Sequence, residues 1–149
     1  MGTLGGEASA EIDAPIDAVW AVVEDVGTAP DWQDGLDSME ALERDDRGRI
    51  VVASSTTDAK VRKVTTRIRF TYDEAAHTVT WRQEKGDLKS LVGSWQLEDL
   101  GGRTRATYRL DGDPGRVLGM LIRGPVEDKL RGVLVGGRPA ELKARVEGG

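Results

Sequence analysis

The sequence predicts an α+β fold: an antiparallel sheet of about six or seven strands, two short helices after the first strand, and a long C-terminal helix. Three observations predict it. Residues 12–32 pass from a strand end through a proline into a helical apolar stripe. Residues 61–111 hold four runs in which apolar and polar side chains alternate. Residues 113–147 carry Leu, Ile and Val at helical spacing. At 149 residues, 38% hydrophobic and 32% charged, the chain reads as one globular domain, 1–149.

Along the chain, residues 7–13 read as a short strand and 15–32 as two helices. Pro15 is placed at the first helical position, where its missing N–H costs nothing, and Asp17 suits the first turn. Ile16, Val19, Trp20 and Val23 fall at i, i+3, i+4, i+7 and form a buried stripe. Residues 37–45 and 48–57 form a hairpin around the turn chemistry of Asp45-Asp46-Arg47-Gly48. Strands follow at 61–72, 78–86, 90–99 and 103–111.

The last hairpin fixes its own register. Leu100-Gly101-Gly102-Arg103 suits a two-residue primed turn, because both glycines accept positive φ. That sets Glu98 opposite Arg105, Gln96 opposite Thr107, Trp95 opposite Tyr108, Leu97 opposite Ala106 and Gly93 opposite Leu110. Polar and apolar pairs separate onto opposite faces, as a half-buried sheet requires. One hairpin earlier, Val64, Thr66, Ile68, Phe70 and Tyr72 share a face that Val79 and Trp81 continue. Pairing Phe70 with Trp81 brings Arg67 opposite Glu84 and the like charges Arg69 and Arg82 together, which calls for an acidic neighbour.

In the final segment, Asp113-Pro114 gives an N-cap and a first-turn proline. Leu118, Leu121, Ile122, Val126, Leu130, Val133 and Leu134 recur at helical spacing. Six glycines (115, 119, 124, 132, 136 and 137) and Pro125 and Pro139 interrupt it. Pro125 is expected to bend the helix, and Gly136-Gly137 is a candidate break.

Composition excludes several chemistries. There is no cysteine, so no disulfide, thiolate nucleophile or cysteine-bound metal. The net charge of −5 opposes nucleic acid. Lys60, Arg62, Lys63, Arg67 and Arg69 cluster, but a solvated sheet face explains them. No apolar run spans a bilayer and no signal pattern opens the chain, so no stable membrane insertion and a cytoplasmic address are expected. His77, the only histidine, lies in a turn and is expected to be exposed, which makes it a poor base. No second histidine completes a metal site, the acidic pairs suit turns, and the serines lack a partner base. No metal and no cofactor are expected.

The stretch Ala14-Pro15, Val19-Trp20, Asp25 and Trp32 resembles the opening of the START-like, Bet v 1-type superfamily that includes polyketide cyclases and dehydrases. Glu141-Leu142-Lys143 through Glu147 resembles that family's C-terminal finish. The resemblance implies a helix-grip fold, in which a curved sheet wraps the last helix around a cavity. On that reading Trp81, Trp95, Phe70, Tyr108 and Tyr72 line the concave face, with Arg62, Thr66 and Gln83 as polar groups. Trp32 stands at an entrance, and Leu121 and Ile122 line the cavity from the helix. Trp20 is explained as core by its stripe.

Three functions fit these residues. The first is binding of a small hydrophobic molecule such as a lipid, quinone or polyketide, by a monomer or homodimer. The second is a polyketide cyclase or dehydratase acting on a poly-ketone in the same cavity. The third is a protein-interaction module. The absence of an evident acid–base pair leans away from an enzyme.

Overall fold

A computed structural model describes residues 4–60 and 62–148. One seven-stranded antiparallel sheet organises the chain, in the order β1-β7-β6-β5-β4-β3-β2. The strands are β1 (Leu4–Ile12), β2 (Leu36–Arg44), β3 (Ile50–Asp58), β4 (Lys63–Asp73), β5 (Thr78–Gly86), β6 (Ser90–Asp99) and β7 (Thr104–Asp113). Between β1 and β2, which form opposite edges of the sheet, run α1 (Ile16–Glu24) and a 3-10 turn (Val26–Asp31). After β7 come α2 (Gly115–Leu121), α3 (Pro125–Arg131), a π turn (Gly132–Gly136) and α4 (Arg138–Gly148). The sheet is curved, and its inner face packs on the C-terminal helical segment.

Pro15 stands one residue earlier than expected, as the extended cap before Ile16. Its carbonyl accepts the Ala18 and Val19 N–H groups at 3.0 and 3.3 Å, so the proline still opens the helix. Val19, Trp20 and Val23 are buried as the stripe requires.

The β6–β7 register is the one the Gly101-Gly102 turn dictates, with both glycines at positive φ (85° and 88°) and all five expected pairs in place. In β4–β5, Phe70 pairs with Trp81 and Arg69 with Arg82. A bulge then intervenes: Ile68 faces Gln83 and Arg67 faces Lys85, so Arg67 does not stand opposite Glu84 as expected. The extra residue, Glu84, reaches Arg67 at 3.1 Å and Arg69 at 2.7 Å. It supplies the acidic neighbour that the Arg69–Arg82 pair needs.

The C-terminal segment departs from the expected single bent helix. Asp113 ends β7, its Oδ1 accepts the Gly115 N–H at 2.9 Å, and Pro114 is the cap residue of α2. The chain breaks fully at residues 122–124, where Gly124 takes φ 69° and ψ −134°. Pro125 starts α3 rather than bending a helix, the position at which its missing donor costs nothing. Gly136-Gly137 makes no break. The Gly137 N–H reaches back to the Gly132 carbonyl at 2.8 Å, and the backbone continues through the π turn into α4.

Two apolar clusters hold the layers together. The larger joins α1, the central strands, Val135 and Leu142. The smaller joins Ala59 and Val64 to Leu118, Ile122, Leu130 and Leu134 from α2, α3 and the π turn. Among the described residues, no helix is long and apolar enough to cross a membrane.

Candidate functional site

Between these two clusters lies a cavity of about 150 Å³. Strand alternation supplies its floor: Ile68 and Phe70 from β4, Trp81 from β5, Trp95 from β6, Tyr108 and Leu110 from β7. Leu118 and Ile122 cover it from α2 and the turn after it, with Leu130 and Leu134 beside them. Trp32, which ends the 3-10 turn, closes one side with Val26 and Ala29. The rings form a continuous series. Phe70 and Trp81 lie 6.1 Å apart, Trp81 and Tyr108 5.7 Å, Tyr108 and Trp95 4.7 Å, and Trp95 and Trp32 6.3 Å between centroids.

Polar groups in the wall are few. Ser55 Oγ and Thr66 Oγ1 satisfy each other at 3.0 Å. Arg138, at the start of α4, is buried and, among the described residues, is the only charged one in the wall. Its Nη1 donates to the Asp34 carbonyl at 2.7 Å and to Glu141 Oε1 at 2.9 Å. Glu141 Oε2 accepts the Asp34 N–H at 2.7 Å, so α4 and the loop before β2 are tied together. Burial pushes the Tyr108 phenol up from its ordinary value, and the neighbouring Arg138 guanidinium pulls it partly back.

Six of the expected site residues meet at this cavity: Trp81, Trp95, Phe70, Tyr108, Trp32 and Ile122. Four do not line it. The Tyr72 hydroxyl donates to the Ile50 carbonyl at 2.5 Å, and the Arg49 guanidinium stacks on its ring at 4.7 Å. Tyr72 shares the face of Phe70 but lies beyond the cavity's end. Arg62 precedes β4, is exposed, and stands 3.9 Å from Asp87. Gln83 donates to the Leu88 carbonyl at 2.8 Å, which fixes the chain leaving β5. Leu121 is 51% exposed on the outer side of α2.

Two further expectations need adjusting. His77 is half-buried rather than exposed, with its ring edge-on to Trp20 at 5.6 Å. Of the basic cluster, Arg62, Lys63, Arg67 and Arg69 each have an acidic partner.

Sequence reasoning missed Arg138. Its i,i+3 spacing to Glu141 was a usable signal for a paired guanidinium, but nothing local links it to Asp34.

Comparison with known proteins agrees with this geometry. Solved structures similar to the chain include a START superfamily protein from Mycobacterium smegmatis, at 19% identity and TM-score 0.81, covering 99% of each chain. The Zhui aromatase/cyclase from Streptomyces sp. R1128 is 23% identical with TM-score 0.74, covering 98% of this chain and 94% of that one. Ara h 8.0201 is 15% identical with TM-score 0.66, covering 99% and 100%. No curated protein matches the chain. The family described as polyketide cyclase / dehydrase and lipid transport matches residues 12–135. With most of its length so matched and a helix-grip fold around an apolar cavity, the chain belongs to that family, within the START-like, Bet v 1-type superfamily.

Proposed function

We propose that this protein binds a small hydrophobic molecule in the cavity between its sheet and its C-terminal helices. The observation that carries the reading is the cavity itself: about 150 Å³ of space walled by Phe, Trp, Leu, Ile and Val side chains where an ordinary core would be filled. A dry space of that size takes one aromatic ring. Apolar walls with few polar groups describe a binding pocket. The family description, which includes lipid transport, supports the same reading.

A second reading, cyclisation or dehydration of a poly-ketone in the same cavity, has one observation in its favour. Tyr108 and Arg138 meet at its wall, where they are able to hold a developing oxyanion. The aromatase/cyclase similarity adds to it. It ranks second because, among the described residues, the wall contains no His, Asp or Glu. The Tyr108 phenol, raised by burial, is a poor base near neutral pH.

Native mass spectrometry of protein purified from its own host, followed by extraction and identification of what it carries, tests the first reading. A bound apolar molecule is expected. Protein that is ligand-free and that takes up no apolar compound when offered one would overturn it.

A further inference from the structure

Two side chains of the cavity wall carry buried hydrogen-bond donors without partners among the described residues. Arg138 is 3% exposed, and its Nε is buried with no partner among the described residues. The Trp32 indole Nε1 is buried and unpaired in the same way. The Tyr108 phenol, which neighbours the Arg138 guanidinium, adds a hydroxyl that can donate. All three side chains share the cavity wall. The Trp95 ring links two of them, 6.3 Å from Trp32 and 4.7 Å from Tyr108. The Trp20 indole is also unpaired, but it stands outside the wall against His77. Buried donors without partners are costly, and an oxygen of a bound molecule would satisfy the Arg138 and Trp32 donors, with the Tyr108 hydroxyl able to add a third.

The charge balance narrows the oxygen's identity. Glu141 sits 2.9 Å from Arg138, the only charged residue of the wall among the described residues. The site is therefore neutral before anything binds. A carboxylate would bring an unmatched negative charge beside Glu141, whereas a carbonyl oxygen accepts the same donors without one.

Resting on the ligand-binding reading above, we propose that the Arg138–Tyr108–Trp32 end of the cavity selects an uncharged, single-ring ligand through its carbonyl oxygen, with the Arg138–Glu141 pair excluding carboxylates. Acetophenone, benzoate and ethylbenzene share a ring and differ at this point. Each is titrated into the full chain by calorimetry, with the indole N–H resonances followed in parallel. Acetophenone is expected to bind roughly tenfold tighter than either of the others and to shift the Trp32 indole signal. Tyr108→Phe and Arg138→Lys, each checked for an unchanged fold by circular dichroism, are expected to cut that advantage to within about threefold. Benzoate binding as tightly as acetophenone would overturn the charge argument. Ethylbenzene binding as tightly would overturn the donor argument, and both results leave ligand binding intact. Failure of all three to bind would overturn this proposal together with the reading beneath it.

Discussion

The Trp81 indole lies directly over Gly93, its cross-strand partner: a Cβ at Gly93 would stand 2.4 Å from Trp81 Cε2 and 2.5 Å from Cζ2 and Nε1. The glycine thus lets a large ring lie flat on the sheet, where it meets Phe70 on one side and Tyr108 on the other. Gly93→Ala is expected to push the indole into the cavity. Stability should fall by about 1–3 kcal/mol, the usual cost of overpacking. Chemical denaturation measures that cost, and an altered tryptophan emission reports the ring's movement. A variant as stable as the parent with the same emission would show that the ring is not held this way.

Arg138 and Glu141 form a pair in which the arginine is nearly enclosed. Glu141→Gln leaves a buried guanidinium without its counter-charge and is expected to cost about 3 kcal/mol. The double change Arg138→Met, Glu141→Gln removes the orphaned charge and should recover more than about half of that loss. Additive losses in the double variant would contradict a buried, coupled pair.

Gly124 and Pro125 make opposite demands at the break between α2 and α3. The φ of 69° and ψ of −134° at Gly124 suit glycine alone, so Gly124→Ala is expected to cost about 1–2 kcal/mol. Pro125→Ala, at the first position of a helix, should cost less than about 1 kcal/mol. Equal losses at the two positions would argue for one helix kinked at the proline.

Glu84 gives a pH dependence with a definite sign. The hydrogen bond from Arg69 first, and that from Arg67 after it, holds its carboxyl below the ordinary glutamate value of 4.5. A carboxylate depressed by folding contributes stability that is present above the unfolded value and is lost as pH falls through the folded one. The contribution should therefore be complete above about pH 4.5 and fade below it. Because the group is exposed, the effect is small and weakens with salt. Glu84→Gln is expected to flatten the acid limb of the Tm–pH curve, most visibly at low ionic strength. An unchanged acid limb would remove this role.

Local chemistry made the strands legible and left the cavity's ends obscure. Gly101-Gly102 fixed the β6–β7 register because a two-residue primed turn leaves no freedom in pairing. Alternation placed Phe70 and Tyr72 on one face, yet it carries no signal for where along β4 the cavity stops, and Tyr72 falls beyond it. The Glu84 bulge was invisible for a related reason: a ladder read from alternation assumes one residue opposite one. Helical spacing admitted both Leu121 and Ile122 to the apolar stripe. Because α2 ends there instead of running on, only Ile122 turns inward. Arg138 escaped notice because its partners are set by tertiary structure, with Asp34 lying 104 residues earlier.

The central claim is that the space between sheet and helices holds an apolar molecule. Leu118 covers that space from α2, and Leu118→Trp would fill part of it with an indole. The decisive measurement is native mass spectrometry of the parent and this variant, both purified from the protein's own host. The account predicts a small apolar adduct on the parent that is lost or sharply reduced on the variant, with the two proteins equally folded. An adduct retained undiminished by the filled variant would place the ligand elsewhere and contradict the account.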